Sequence, residues 1–149
     1  MTLIAICIAF VCLVAVVIFL LKRAKARREF LRYSIEAEEL HGLLDGKQDV
    51  VVLDVRVPLD LLVDSEIIPG AVRIPPKEIF ANPALFPAEK DAVVYCTCPS
   101  DETSWNVVRR ALALDIHRIK VLRGGLAGWK AKGFPVVPYN QPFHLDVAG

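Results

Sequence analysis

The sequence predicts an α/β domain on a mainly parallel sheet, preceded by a single transmembrane helix. Three observations carry this. Residues 2–21, "TLIAICIAFVCLVAVVIFLL", form an apolar run without a charge. Beyond it come short, continuously apolar runs such as "DVVVLDV", the pattern of strands covered on both faces. Between these runs lie stretches with apolar residues at helical spacing, and strands alternating with helices build a parallel sheet.

At about 1.5 Å per residue, twenty helical residues cross the ~30 Å core of a bilayer, so residues 1–21 read as a membrane anchor. A cleaved signal peptide fits less well. The apolar run is long, no basic residue precedes it, and the small-x-small triplet Ala24-Lys25-Ala26 sits among positive charges. The juxtamembrane linker, residues 22–33, supplies Lys22, Arg23, Lys25, Arg27, Arg28 and Arg32. By the positive-inside rule the chain is a single-pass membrane protein with its N-terminus outside and its C-terminal domain facing the cytoplasm. Membrane lipid is then one partner. Six of the 18 basic residues and one of the 17 acidic ones lie in this linker, leaving 12 bases against 16 acids, about −4, elsewhere. That balance excludes nucleic acid as a partner.

The domain spans residues 34–138, with a C-terminal tail at 139–149. Ser34 is placed to open a helix over "SIEAEELHGLLDG", where Leu40, Leu43 and Leu44 share a face and Gly46 ends it. Strands follow at "DVVVLDV", at "GAVRIP" (70–75), at "DAVVYC" (91–96) and at "RIKVL" (118–122). A helix in "TSWNVVRRALAL" places Trp105, Val108, Ala111 and Leu112 together, and "GLAGWKAKG" forms the last helix, stopping at Gly133. Trp105 and Trp129 read as core.

Of the four cysteines, Cys7 and Cys12 fall in the apolar run and read as packing residues. Cys96 and Cys98 flank Thr97 at the end of the third strand. Parallel α/β sheets bind ligands beyond the carboxyl ends of their strands. There the N–H groups of a strand-to-helix loop and the positive end of the next helix stabilise a thiolate, and the chemistry that uses this is attack by sulfur. One Cys-x-Cys with the scattered histidines His41, His117 and His144 lacks a second ligand pair, so no metal is expected.

In order along the chain, "VVVLDVR", "IIPGAVRIP", "VVYC" and "VLRGGLAGWKAKGFPV" resemble the rhodanese family of sulfurtransferases. The resemblance implies a three-layer α/β/α sandwich around a five-stranded parallel sheet. It also implies that Cys96 takes up a sulfane sulfur as a persulfide and passes it to a thiol or to cyanide, a ping-pong scheme needing no cofactor. Partners are then a sulfur donor and a thiol acceptor, small molecule or protein. Asp54 and Arg56 resemble the family's structural pair near the site.

The loop departs from the family. Thr97, Cys98, Pro99, Ser100, Asp101, Glu102, Thr103 and Ser104 follow Cys96, where members close a shorter loop with Arg-Ser or Arg-Thr. Ile67 stands where the family often has histidine. Without arginine, and with Asp101 and Glu102 facing the donor, a dianion such as thiosulfate is disfavoured. Aligned without a gap, the family's loop puts Cys98 at the nucleophile position. The register of the strand favours Cys96, which is then expected to be the more acidic thiol, with Cys98 a resolving thiol or a bystander. A catalytically weak, membrane-tethered interaction domain is the alternative reading. A dual-specificity phosphatase would need Cys-x5-Arg, which is absent.

Overall fold

The computed structural model of the chain describes residues 2–142, with the side chains of residue 8 and of residues 10–142. It forms two units, Met1–Arg32 and Tyr33–Gly149. The side chain of Cys7, and His144 with most of the expected tail, fall outside what is described.

The first unit is one helix, α1 (Thr2–Arg32), of 31 residues. The uncharged surface of its apolar part includes exposed Phe10, Leu13, Phe19 and Leu21. Among the described residues no helix is long and apolar enough to cross a membrane. The run of twenty residues read from the sequence includes 2–7 and 9, whose side chains are not described, so a span is not shown.

In the second unit, β1 (Ser34–Ile35), β2 (Val50–Asp54), β4 (Val72–Arg73), β5 (Asp91–Tyr95) and β6 (Ile119–Leu122) make a five-stranded sheet in the order β1-β6-β5-β2-β4. Every pairing in it is parallel. Between its strands lie α2 (Ala37–Asp45), α3 (Pro58–Val63), β3 (Glu66–Ile67), α4 (Pro76–Ala81) and α5 (Glu102–Leu112), with α6 (Gly125–Ala131) and β7 (Val137–Pro138) after β6. Strands β3 and β7 pair antiparallel as a separate ribbon.

Continuous apolar runs became the inner strands because both of their faces are covered. From Val93 and Tyr95 of β5, one face of the sheet packs with Leu40 of α2 and with Leu126 and Trp129 of α6. Ala92 and Val94 alternate to the opposite face, the side of α5, whose Val107, Val108 and Ala111 are buried. This is the three-layer sandwich expected.

Two elements differ from what the sequence predicts. Ser34 does not cap α2. It lies in β1, paired with Val121, while Ile35 pairs with Leu122 and is buried; the cap position falls to Glu36. Closing the sheet edge over Ile35 outweighs the capping preference of one serine. In α5 the buried face runs through Ser104, Val107, Val108 and Ala111, so Trp105 is only partly covered.

The topology also fixes where a site can form. From β2 the chain leaves toward β4 on one side, whereas from β5 it leaves toward β6 on the other, and β2 and β5 are neighbours. Connections that depart in opposite directions open a crevice at the carboxyl ends of two adjacent strands. Cys96 is the first residue beyond β5 at that switch point.

Candidate active site

Beyond β5 the chain bends at Thr97, turns at Pro99 and Ser100, and enters α5 at Glu102. Several bonds pin this short loop. The Cys96 carbonyl accepts from Leu126 N–H (3.1 Å), and the Asp101 N–H donates to the Cys98 carbonyl (3.1 Å). Thr97 Oγ1 donates to Asp60 Oδ2 of α3 (2.8 Å), and Gly124 N–H donates to Asp101 Oδ2 (2.9 Å). The loop is thus tied to α3, to its own helix and to the turn entering α6.

The bend sends Cys98 back over Cys96, leaving the two sulfurs 2.6 Å apart. Their surroundings differ. Cys96 is only 1% exposed, whereas Cys98 is half-buried and its Sγ accepts the Thr103 N–H from the first turn of α5 (3.4 Å). A sulfur there receives both an amide hydrogen and the positive end of an 11-residue helix.

Burial pushes the Cys96 thiol up to about 11, with the hydrogen bond to Cys98 acting in the same direction and the nearby Ser104 only partly offsetting them. For Cys98, burial also works against the thiolate, but the bonds from Cys96 and Thr103 outweigh it and hold its pKa below the ordinary thiol value. A pair that shares one proton keeps it on the less solvated sulfur. These shifts run against the expectation that Cys96 is the more acidic thiol: Cys96 is pushed up and Cys98 held down, which favours the proton on Cys96.

The acids are also placed differently from the sequence reading. Asp101 is 7% exposed, adopts the left-handed conformation (φ 54°) and turns its carboxylate into the fold toward Gly124. Its Oδ1 has no partner among the described residues, and burial raises its pKa against the opposing pull of the Gly124 N–H and Arg123. Among the described residues of the loop only Glu102 remains exposed as a negative group, with exposed Pro99 and Ser100 nearby. Ser104 is fully buried, and its Oγ lies close enough to ease Cys96 ionisation without a hydrogen bond of ordinary geometry.

Asp54 and Arg56 form a buried pair that ties neighbouring loops together. Arg56 Nε and Nη2 grip the Asp54 carboxylate (3.0 and 2.6 Å), while Nη1 and Nη2 donate to the carbonyls of Asp64 and Glu66 (2.7 and 2.9 Å). Both side chains are fully buried. Burial opposes the Arg56 charge, and the bond to Asp54 more than restores it. Tyr95, whose role the sequence does not reveal, completes the knot by donating to Asp54 Oδ2 (3.1 Å) and accepting from Ile68 N–H (3.3 Å). The only sequence trace of it is a hydroxyl at the end of an apolar strand. Asp60, which steadies Thr97, left no signal. Among the described residues no group of three or more His, Cys, Asp or Glu side chains is placed to hold a metal ion.

Residues 36–132 match the family model of the rhodanese-like domain. The chain belongs to that family. Over 103 residues it is 29% identical to a sulfurtransferase of Allochromatium vinosum, covering 69% of this chain and 92% of that protein. A rhodanese-related protein of Thermoplasma volcanium superposes with a TM-score of 0.58 at 28% identity, covering 70% of this chain and 96% of the other. A Lactobacillus plantarum protein gives a TM-score of 0.68 at 24% identity over 78% and 97% of the two chains, which speaks for the shared fold. The matched region of this rhodanese-like domain holds β2, β4, β5, β6 and the strand-end loop, with β1 just ahead of it.

Proposed function

We propose that the chain is a membrane-anchored sulfurtransferase in which Cys98 carries the sulfane sulfur as a persulfide and passes it to a thiol or to cyanide. Family membership and the likeness to a sulfurtransferase support the kind of activity. The observation that carries the choice of sulfur is the Thr103 N–H on the half-exposed Cys98 Sγ, with Cys96 shut away beneath it. In the first half-reaction the Cys98 thiolate attacks the outer sulfur of a donor such as thiosulfate. The donor's S–S bond breaks, sulfite leaves, and Cys98 bears the persulfide. In the second half-reaction an acceptor thiolate or cyanide attacks the outer sulfur and the Cys98 thiolate is restored. Loop and helix N–H groups stabilise the anionic sulfur in both steps.

Anchoring rests on the uncharged run at 2–21, on the exposed apolar side chains of α1 and on the basic stretch that follows, which together favour a bilayer partner and a cytoplasmic domain. A non-catalytic reading has one observation on its side: Leu59, Leu62 and Val63 of α3 are exposed beside the loop, as in a docking surface. Sulfur transfer to cyanide decides between the readings. Purified full-length chain should form thiocyanate from thiosulfate or from glutathione persulfide, and Cys98→Ser should abolish it. Undiminished transfer by Cys98→Ser would return the carrier role to Cys96, and no transfer from either donor by the wild type would favour the docking surface.

A further inference from the structure

The persulfide reading leaves Cys96 without a task. It is 1% exposed, so no external donor or acceptor reaches it, yet its sulfur sits 2.6 Å from Cys98 Sγ. When Cys98 carries a persulfide, its own Sγ becomes the inner sulfur. The distance between the two cysteines is then the distance of attack, already inside the ~3–3.5 Å of a near-attack arrangement. The bend at Thr97, held by the bond from Thr97 Oγ1 to Asp60, maintains this approach.

We propose that Cys96 resolves the persulfide internally, attacking the inner sulfur of Cys98–S–S⁻ to form a Cys96–Cys98 disulfide and expel HS⁻. This rests on the reading that Cys98 takes up the sulfane sulfur. The bond between Cys98 Sγ and the outer sulfur breaks, its electron pair leaves on the outer sulfur, and the Cys96 proton goes with it. In this step the Cys96 sulfur is oxidised from thiol to disulfide, the Cys98 sulfur keeps its oxidation level, and the outer sulfur is reduced to sulfide. Two equivalents of a small thiol return the pair to two thiols and leave as that thiol's disulfide, since exchange begins at the more accessible Cys98 sulfur.

The chemistry therefore has a fork. A cyanide or thiol acceptor that reaches the outer sulfur first completes transfer. When acceptor is scarce, the loop instead discharges sulfide and locks as a disulfide, which takes up no further sulfur until a thiol reduces it. The enzyme becomes a sulfide-releasing device whose idle state is set by the surrounding thiol supply.

The test uses purified, pre-reduced full-length chain, freed of small thiols and given thiosulfate with no acceptor. Wild type should release about one sulfide per chain and become lighter by two hydrogen atoms, with a 96–98 disulfide in the loop peptide. Cys96→Ser should release none and keep one added sulfur on Cys98, detected by mass spectrometry after alkylation. Wild type that instead keeps the added sulfur and releases no sulfide overturns the internal step and leaves the carrier reading intact. Chains of both kinds that neither gain sulfur nor release sulfide, from thiosulfate or from glutathione persulfide, overturn both. The wild-type measurement stands alone should Cys96→Ser fold poorly.

Discussion

Replacing Gly125 with alanine should damage the fold and the loop together. A Cβ at Gly125 would lie 2.1 Å from the Cys96 carbonyl oxygen and 3.1 Å from its carbon, where ordinary contact is 3.4–4 Å. The clash falls on backbone at the end of a central strand, so neither side has a flexible tip to swing away. Gly125 also has φ +52°, a conformation that costs an L-residue ~1–2 kcal/mol. Displacing packed backbone adds about 1–3 kcal/mol, as overpacking does. Gly133 supplies the control, with φ +72° and nothing within 4 Å of its Cβ position, so Gly133→Ala should show only the conformational cost. Urea unfolding followed by tryptophan fluorescence measures both. Gly125→Ala should be the less stable by ~1–3 kcal/mol. It should also slow sulfur uptake, because the strained carbonyl belongs to Cys96 and accepts from Leu126 N–H. Equal unfolding midpoints at equal slope for the two variants would refute the close packing of α6 on the loop.

Iodoacetamide should modify Cys98 first: with a pKa of about 11, Cys96 has only about a thousandth of its thiol ionised at pH 8. The rate at Cys98 should reach half its maximum below the ordinary thiol pKa and fall as pH drops further, and earlier labelling of Cys96 in peptide mass spectra would contradict the assigned proton. Asp101→Ala should cost ~1–3 kcal/mol by stranding the Gly124 N–H, whereas Asp101→Asn keeps an oxygen acceptor and tolerates the left-handed backbone. Because burial raises the Asp101 pKa above its usual 3.8, its contribution is most favourable below that pH and is lost as pH rises through the folded value, a slope that Asn should remove in urea titrations. Tyr95→Phe should cost ~1–3 kcal/mol in thermal or urea melts by leaving the buried Ile68 N–H unpaired, with the order of thiol labelling unchanged.

What the sequence disclosed follows from how much each segment is fixed by its own residues. Strands β2 and β5 run five residues each and contain the uninterrupted apolar runs 50–53 and 92–95, a pattern of strands covered on both faces, so they were legible. Strands β1, β3 and β7 are two residues long, too short for any period, and exist because a neighbour offers a ladder, whereas the equally short β4 was legible through the longer run at 70–75 around it. The helices α3 and α4 carry six residues each and start on Pro58 and Pro76, which signal a helical first turn only once its end is known. At the site the same distinction separates the strand from the loop. The run ending at Tyr95 correctly located Cys96 at the carboxyl end of the sheet, but strand register says only which residue comes first, not which sulfur meets the next helix. That is decided by the bend at Thr97, held by Asp60 from 37 positions earlier, and by the packing of Gly125 on the Cys96 carbonyl. Neither contact has a local pattern. Together they bury the first cysteine and present the second to the Thr103 N–H, so proximity to the strand raises the Cys96 pKa and the extra two residues of loop bring the other sulfur to the helix. The acids misread as a repulsive pair separate by the same logic. Asp101 is drawn inward by an N–H from a turn 23 residues away, and only Glu102, which nothing distant recruits, keeps the exposed place that its composition suggested.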